Sequence, residues 1–316
     1  MGKYFGTDGF RGEANCNLTA DHAYKVGRFL GWYFTQLKRR SGSDKSARIV
    51  IGKDTRRSSY MFEYSLVGGL VASGADAYLL HVTTTPSVAY VVRTEGFDCG
   101  IMISASHNPY YDNGIKLINN FGEKMDETTI SLIEDYLDGH LEAFGHSWEE
   151  LPLAKRDQIG RTVDHVAGRN RYIGYLIGLG MYSFKGMKVG LDCANGSSWN
   201  IAKNVFDALG AKTYVINAEP DGYNIIVSPA ASIHRLLCGL PGYLILFDTH
   251  TFEPQCQLHS RRLPSQSEFF VISKHFTATP RIPPSSSALK SASSNCTAVV
   301  ELQYFTAGLT DHLRSL

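Results

Sequence analysis

From residue 47 onward, short β-rich runs alternate with helical stretches. The run "ARIVIG" leads through the charged loop "KDTRRSS" to the helical stretch "YMFEYSLVGGLVASGA", and the apolar run "DAYLLHVT" follows. Pro86 in "TTTPS" indicates the start of the next helix, because proline suits the first helical turn. Strands that alternate with helices need crossover connections. The sequence therefore predicts an α/β fold with mixed, mostly parallel sheet domains built from repeated βαβ units.

A second stretch of the chain repeats this order of elements. Residues 187–217, "MKVGLDCANGSSWNIAKNVFDALGAKTYVIN", read as strand, loop, helix and strand. The first strand of each stretch finishes at an aspartate, Asp54 or Asp192. A second domain that reuses the topology of the first would explain this, although any two βαβ units share the same order. Between the two stretches, a helix is predicted over 128–142. These features divide the chain into a first domain (1–145), a linker (146–167), the start of a second domain (168–225) and an atypical tail (226–316).

Length and composition exclude several classes of protein. A chain of 316 residues suits about two domains at roughly 150 residues each. A formal net charge of +1 gives no electrostatic case for nucleic acid or for a membrane surface as partner. The sequence has no apolar run of the roughly 18 residues that a spanning helix needs, and the residues "MGKYFGTDGF" lack the apolar run that is typical of a signal peptide. Six scattered cysteines without a CxxC pair indicate reduced thiols in a cytoplasmic protein.

The loop "SASHNPYYDNGIK", residues 104–116, is the strongest candidate for a functional site. Ser106 follows the buried run "CGIMIS", and ligands of open α/β sheets bind at the carboxyl ends of such strands. The Asn-Pro and Asn-Gly dipeptides favour turns that fold the segment back and bring Lys116 towards Ser106. His107 is adjacent in sequence to Ser106 and no GxSxG elbow is present, so a serine hydrolase is not supported. A catalytic loop and a plain polar connection between strands both remain open.

A second loop, "FGTDGFRG" at residues 5–12, places three glycines around Asp8 and Arg11. Glycines let a backbone approach a ligand closely, and an arginine can bind a phosphate through two parallel hydrogen bonds. The pattern matches neither GxGxxG nor the Walker sequence, so no nucleotide-binding loop is implied. The loop "GKDTRRSS" adds three charged groups at another strand end, for which solvated or ion-paired surface positions are the alternative (Asp54, Arg56 and Arg57).

Four segments together resemble the α-D-phosphohexomutase superfamily. They are "KYFGTDGFRG", "GKDTRRSS", "TTTPS" and "SASHNPYYDNGIK", in this order and spacing, and the resemblance covers residues 1–225. Members of the superfamily have four domains around one cleft and interconvert sugar 6-phosphates and 1-phosphates through a bisphosphorylated intermediate. The resemblance is closest to the bacterial members that interconvert glucosamine 6-phosphate and glucosamine 1-phosphate on the way to cell-wall precursors.

The resemblance implies a role for each candidate residue. Ser106 would be the phosphoserine that gives and regains a phosphoryl group, and through its phosphate it would be a ligand of Mg²⁺. His107 would line the site, Lys116 would be the proton-transfer group, and Arg11 would lie near the phosphoserine. The expected partner is a small-molecule sugar phosphate, with no nucleic acid and no membrane, and the oligomeric state is left open.

The sequence departs from the superfamily after residue 225. No DxDxD pattern occurs in the 316 residues, although the family's aspartate loop completes its Mg²⁺ site, and Asp248 in "LILFDTHTFEPQC" is not assigned as a metal ligand. Residues 226–316 contain thirteen serines and three glycines, with little helical or strand periodicity. Either a natural domain of another class or an out-of-frame translation would explain this composition. We expect the second, with a tail that is disordered or aggregates.

These observations leave two classes of function. The first is a sugar-phosphate mutase specific for glucosamine phosphate, or for glucose or mannose phosphate, of which this chain is expected to be an inactive form. The second is a non-catalytic fragment that binds sugar phosphates. Turnover and phosphate on Ser106 would distinguish the mutase from a fragment that only binds its ligand.

Overall fold

The structure is a computed structural model that describes residues 2–180 and 183–225 in full, and the backbone alone of 244–248, 255–262 and 268–276. The chain divides into two compact units. The first comprises Met1–Tyr172 and Pro220–Ile225, and the second comprises Ile173–Glu219 and the strands after Ile226.

The first unit is built on a mixed seven-stranded sheet. Its strands and those of a small separate hairpin are β1 (Phe5–Gly6), β2 (Gly9–Glu13), β3 (Arg48–Lys53), β4 (Asp76–Val82), β5 (Cys99–Ile103), β6 (Asp112–Asn119), β7 (Leu141–Ala143), β8 (His146–Trp148) and β9 (Thr162–Asp164). The order in the sheet is β1-β2-β6-β5-β3-β4-β9, and β7 pairs with β8 alone. Strands β5, β3, β4 and β9 run parallel, β6 is antiparallel to β5, and β2 is antiparallel to β6.

Helices cover both faces of this sheet: α1 (Ala20–Arg40), α2 (Arg57–Ala72), α3 (Thr85–Glu95) and α4 (Glu127–Leu137). On one face α1, α2 and α4 bury a large apolar cluster against the strands, centred on residues such as Phe29, Phe62 and Ile51. On the other face α3 packs Val88 and Val92 against the sheet. The result confirms the predicted α/β class, with layers of helices enclosing the strands whose ends carry the candidate site.

Helices α1 and α2 approach each other so closely that their backbones touch at glycines. A Cβ atom at Gly27 would collide with the carbonyl of Leu66, and one at Gly69 would collide with the carbonyl of Tyr24. The missing side chains therefore let the two helices pack backbone to backbone, which fixes the position of α2 and of the loop that precedes it.

Two details differ from the sequence prediction. The helix predicted over 128–142 ends at Leu137, because Gly139 adopts a left-handed φ of 79° and the chain then enters β7. The predicted linker 146–167 contains β8, a short 3-10 helix and β9, and β9 adds a parallel edge strand beside β4. The Asp76 carboxylate accepts a hydrogen bond from the Arg161 backbone N–H at 3.1 Å, which holds this segment to the sheet.

The second unit repeats the strand, helix and strand order predicted for 187–217. Helix α5 (Val166–Gly178) leads into it, followed by β10 (Lys188–Asp192), α6 (Trp199–Ala208), β11 (Lys212–Ile216), β12 (Leu244–Asp248), β13 (Gln255–Arg262) and β14 (Glu268–Phe276). The strand order is β11-β10-β12-β14-β13, and β10 is parallel to both of its neighbours. Parallel pairings therefore predominate over the two sheets.

The last three strands fall in the predicted tail. Strand β12 pairs directly with β10 and β14 with β12, which the weak periodicity of 226–316 did not indicate. The other residues of that range lie outside the described part of the chain, and the interpretation of the range as frameshifted or disordered stays a prediction. Among the described residues, no helix combines the length and the apolar character needed to cross a membrane. Cys16, Cys99 and Cys193 are free thiols.

Candidate active site

Ser106 lies at the sharp turn that follows β5. All residues of β5 are buried, as are Ser104 and Ala105 after it. The backbone N–H of Ser106 donates to the hydroxyl of Ser104 at 3.0 Å, and the N–H of Ser104 donates to the carbonyl of Gly114 at 2.8 Å. Ser106 itself is half-buried and adopts a left-handed φ of 57°. Such a conformation costs about 1–3 kcal/mol for a non-glycine residue and is typical of functional positions.

The loop folds back as its turn dipeptides predict. The N–H of Asn108 donates to the carbonyl of Ala105 at 3.2 Å, and the N–H of Asp112 donates to the carbonyl of Pro109 at 3.1 Å. The Asn108 amide also donates to the Asp112 carboxylate at 2.9 Å. Strand β6 then returns beside β5, with Lys116 opposite Met102. The fold-back thus brings Lys116 to the end of the strand that leads to the serine.

His107 does not form a nucleophile–base pair with Ser106. Its ring is exposed, and its Nδ1 lies 3.5 Å from the hydroxyl oxygen of Ser106. Hydroxyl hydrogen bonds are normally no longer than about 3.0 Å, so this contact does not hold the hydroxyl for proton transfer. The geometry agrees with the sequence argument against a serine hydrolase. The role of His107 in lining the site stays a prediction.

Arg56 is the residue of the site for which the sequence left a solvated or ion-paired surface position open and did not predict a contact with the Ser106 loop. It is completely buried, and its guanidinium forms an ion pair with the Asp54 carboxylate. The same guanidinium donates to the carbonyl of Ser106 at 3.1 Å and to the carbonyl of Asn108 at 2.6 Å. The position of "KDTRR" directly after a strand was the available signal, because β3 and β5 are parallel neighbours whose carboxyl ends meet. Arg56 therefore ties the end of one strand to the loop that leaves the next.

A group of polar side chains fixes the Asp54–Arg56 ion pair in turn. Asp54 accepts from the Ser59 hydroxyl at 2.7 Å and from the Arg56 backbone N–H at 3.1 Å. Buried Asn113, at the start of β6, donates to the hydroxyls of Ser58 and Ser59 at 2.8 and 2.9 Å. Because these residues come from the β3 end, the first turn of α2 and β6, three elements hold the ion pair in place.

Arg11 and Lys116 lie on neighbouring strands beside the loop. Arg11 pairs with Gly114 across β2 and β6, and its guanidinium donates to the Asp8 carboxylate at 2.9 Å. Burial lowers the pKa of Lys116, and the positive charges of Arg11 and Arg56 lower it further, whereas nearby aspartates oppose the shift. A cavity of about 320 Å³ opens along the β1–β2 turn, lined by Tyr4, Gly6, Thr7, Asp8, Gly9 and Arg11. The nearness of Arg11 to a phosphoserine stays a prediction.

The last residues of the resemblance also pack in this region. The Arg57 backbone N–H donates to the carbonyl of Gly222 at 3.4 Å, and its guanidinium donates to the Tyr223 hydroxyl. The Tyr223 ring meets the Tyr110 ring edge-on, with centroids 5.3 Å apart. Arg57 thus connects the segment "DGYNI" to the outer side of the loop that carries Ser106, and it is not a free surface residue.

The described residues around Ser106 do not fit a Mg²⁺ site. Magnesium prefers hard oxygen ligands in octahedral geometry, supplied mainly by carboxylates, phosphates and water. The Asp54 and Asp8 carboxylates are bonded to arginines, and that of Asp112 accepts from the Asn108 amide. No cluster of three or more His, Cys, Asp or Glu side chains suited to a metal occurs in the described part of the chain. The side chain of Asp248 lies outside that part.

Known proteins share the sequence of this region. Residues 2–143 match the family described as "Phosphoglucomutase/phosphomannomutase, alpha/beta/alpha domain I". A phosphoglucosamine mutase from Lachnospira eligens is 72% identical over 225 residues, covering 71% of this chain and 48% of the relative. One from Lachnoclostridium phytofermentans is 67% identical over 225 residues, covering 71% and 47%. The chain therefore spans about half the length of the curated relatives it matches.

A solved structure shows the same fold. A phosphoglucomutase/phosphomannomutase family protein from Burkholderia thailandensis aligns with a TM-score of 0.54 at 23% identity, covering 70% of this chain and 45% of that one. At this identity the likeness concerns the fold alone, whereas the two bacterial relatives agree in sequence over the whole resemblance. This chain therefore carries, over residues 2–143, the first domain of the phosphoglucomutase/phosphomannomutase family, and over 225 residues it is similar to phosphoglucosamine mutases.

Proposed function

We propose that this chain carries the phosphoserine part of a mutase that interconverts glucosamine 6-phosphate and glucosamine 1-phosphate. The observation that carries the proposal is the position of Ser106, in a left-handed turn after a buried strand with its backbone bonded to a buried arginine. The high identity to phosphoglucosamine mutases supports the choice of glucosamine over glucose or mannose. The same resemblance supports a cytoplasmic place for the reaction, ahead of cell-wall precursors.

The proposed reaction consists of two successive transfers, each of a different phosphoryl group. The hydroxyl oxygen of the sugar monophosphate attacks the phosphorus on Ser106, a new sugar O–P bond forms, and the serine O–P bond breaks. The hydroxyl proton passes to a base, and the departing serine oxygen takes up a proton. The resulting sugar bisphosphate then returns its other phosphoryl group to the serine oxygen. Phosphorus and protons balance over the cycle, and the product is the isomeric monophosphate.

The described residues supply two requirements of this chemistry, which are placement and charge. Lys116 is suited to accept the proton, because its lowered pKa raises the fraction of neutral amine at a given pH. Arg11 and Arg56 lie close enough to Lys116 for their positive charges to lower its pKa. Positive groups of this kind offset the charge of a phosphoryl group during transfer. His107, which is exposed beside the hydroxyl, is proposed to contact the bound phosphate.

This chain is proposed not to turn over its sugar phosphate. Its sequence contains no DxDxD pattern to hold Mg²⁺, and the described residues near Ser106 offer no substitute set of carboxylates. Loss of the charge stabilisation in a phosphoryl transfer costs several orders of magnitude in rate. The lack of these carboxylates also favours a second function, in which the chain binds sugar phosphates without converting them.

One experiment distinguishes these functions. The full chain is incubated with a hexose 1,6-bisphosphate, and the phosphorylated residue is identified by mass spectrometry, with Ser106→Ala as the control. Because charge stabilisation is lost, we expect slow transfer of one phosphoryl group to Ser106 and none to the variant. Net conversion of glucosamine 6-phosphate needs two such transfers and should not be detected over the same time. Ligand binding with no phosphoryl transfer would favour the binding fragment. Phosphorylation at a residue other than Ser106 would contradict the assignment of the nucleophile.

A further inference from the structure

We propose that Arg56 is a positioning residue, which holds the loop 104–116 in the bent conformation that presents the Ser106 hydroxyl to a phosphoryl group. The effect on transfer rests on the proposed function, whereas the effect on the loop does not. Arg56 itself does not touch the reacting atoms. Its guanidinium bonds the carbonyl of Ser106 and that of Asn108, on either side of His107.

The first step of the argument is the conformation of the loop. A left-handed φ at Ser106 is unfavourable for a residue that carries a Cβ atom, so other contacts must maintain it. Two carbonyls of the turn point to one buried guanidinium, and bonds to a charged donor are stronger than those between neutral groups. Release of this guanidinium would free both carbonyls at once, and the turn would lose the contacts that fix its direction.

The second step is the chemistry of the group that binds the carbonyls. Arginine is planar and presents several N–H donors in a fixed fork, whereas a lysine ammonium is a single compact charge. Arg56 uses one terminal nitrogen for the Asp54 carboxylate and the other for the two carbonyls. A lysine at this position could keep the positive charge, but it could not keep both sets of contacts. The substitution Arg56→Lys therefore separates geometry from charge.

The third step is that the guanidinium is itself immobile. Asp54 is held by the Ser59 hydroxyl, and Ser59 is held by the Asn113 amide on the returning strand. Arg56 is fully buried, so solvent does not compete for its donors. A rigid group bonded to the backbone of the nucleophile is what positions a reacting oxygen within a small tolerance, and a misplacement of about 1 Å can cost roughly a hundredfold in rate.

The test compares Arg56→Lys with Arg57→Lys in the full chain. Arg57 is the matched control, because it is the next residue and contacts Tyr223, not the loop carbonyls. Two quantities are measured: hydrogen exchange of the backbone amides of Ser106, Asn108 and Asp112, and the rate of Ser106 phosphorylation by a hexose 1,6-bisphosphate. The amides of β3 and β5 report whether the sheet remains folded.

We expect Arg56→Lys to speed exchange of the loop amides by at least about tenfold and to slow phosphorylation by about 10–100-fold. The bisphosphate concentration for half-maximal rate should change by less than about twofold, because the loss concerns placement and not binding. Arg57→Lys should leave both rates within about twofold of the wild-type values. Should Arg56→Lys unfold the sheet, the milder Ser59→Ala provides the same comparison, with a smaller change in the same direction.

Three results would overturn the proposal. Loop amides that exchange at the wild-type rate in Arg56→Lys would show that Arg56 does not hold the turn. A loosened loop with an unchanged phosphorylation rate would show that the turn does not position Ser106. An equal effect of Arg57→Lys would show that the loss is not specific to the contacts that Arg56 makes with the loop. If wild-type protein accepts no phosphoryl group, the proposed function fails, and the exchange data alone then decide whether Arg56 fixes the loop.

Discussion

The strand ends after β3 and β10 have the same topology and different chemistry. Each is followed by a helix and a parallel strand, and each places a buried aspartate at the carboxyl end of the strand. Asp54 bonds a buried guanidinium that continues to the carbonyl of Ser106. Asp192 accepts from the N–H of Ala194 and from the amide of Asn217, each at 2.9 Å. The same position therefore organises a neighbouring loop in one unit and its own turn in the other.

In the turn after β10, the aspartate accepts from neutral donors. Ala194 and Asn195 have left-handed φ values of 44° and 52°, and Asn217 has one of 50°. The Asn195 side chain accepts from the N–H of Glu219 at 3.1 Å. A repeated βαβ unit thus determines where a site can form. The residues that follow the strand then determine whether a charged side chain there bonds a neighbouring loop. Four predictions test this contrast.

The largest expected effect is that of removing the aspartate charge at each strand end. Asp54→Asn leaves the Arg56 guanidinium buried without a counter-charge, and we expect the first unit to lose about 3–5 kcal/mol of its free energy of unfolding. Asp192→Asn keeps an oxygen acceptor for neutral donors, and we expect the second unit to lose about 1 kcal/mol. Urea unfolding followed by hydrogen exchange in β3 and β10 measures each loss. Equal losses would break the comparison.

The second prediction concerns pH, to which Lys116 and Cys193 should contribute in opposite directions. The folded pKa of Lys116 lies below its usual 10.5, so the unfolded chain binds more protons at this group, which contributes stability to the first unit as pH rises towards 10.5. Burial raises the pKa of the Cys99 thiol in the same unit, and above pH 9.0 this thiol opposes the gain. Burial and the adjacent Asp192 raise the pKa of Cys193 from 9.0 to about 12. The folded second unit then holds its proton longer and loses stability as pH rises from 9.0 to about 12.

Each of these slopes is limited to about 1.4 kcal/mol per pH unit for one proton. Unfolding free energies measured for each unit between about pH 8 and pH 11 test the signs. Lys116→Met should make the slope of the first unit more negative, and Cys193→Ser should make that of the second less negative. Differences of the same sign between wild type and variant in the two units would contradict the assignment of these groups.

The third prediction concerns backbone strain, which both strand ends store in left-handed residues. Glycine adopts this conformation without a Cβ clash, so Ser106→Gly and Ala194→Gly should each raise the free energy of unfolding by about 1 kcal/mol. Ser106→Ala keeps the Cβ atom and should change stability by less than about 0.5 kcal/mol. Thermal unfolding of the three variants measures the differences. A loss of stability in Ala194→Gly would show that its φ is not strained.

The smallest effect is expected at the outer side of the Ser106 loop. Tyr223→Phe removes the hydroxyl that accepts from Arg57 and keeps the ring that packs against Tyr110. Tyr223 is 46% exposed, so we expect a loss of about 0.5 kcal/mol or less. Exchange of the amides near Gly222 should report this change. A loss comparable to that of Asp54→Asn would mean that the outer contact, and not Arg56, holds the loop.

The sequence predicts the local features of the site and the order of its elements. Alternation of apolar runs indicates the parallel strands, and the Asn-Pro and Asn-Gly dipeptides indicate the fold-back that returns Lys116 beside β5. The resemblance to a known family implies the phosphoserine role that is proposed for Ser106. These features depend on residues close together in the chain, or on a motif that is quoted whole, and for that reason one sequence is enough to predict them.

The features that the sequence did not predict depend on long-range contacts. An arginine after a strand is usually solvated, and nothing in "KDTRRSS" distinguishes buried Arg56 from Arg57, which contacts Tyr223. Strand β9 has three residues, too few for a periodic pattern, and it is fixed by pairing with β4. The end of α4 two residues before Gly139 depends on a single backbone angle. Burial and pairing of this kind are decided by the assembled sheet.

The contacts of Arg56 also bear on reversibility. Two of the groups it binds are main-chain carbonyls, whose charge is the same whether or not Ser106 carries a phosphoryl group. The energy of these contacts is therefore common to the phosphorylated and the unphosphorylated chain, and it favours neither direction of transfer. In the proposed reaction Ser106 donates one phosphoryl group and accepts another, so contacts of this kind make neither half of the cycle an energetic trap.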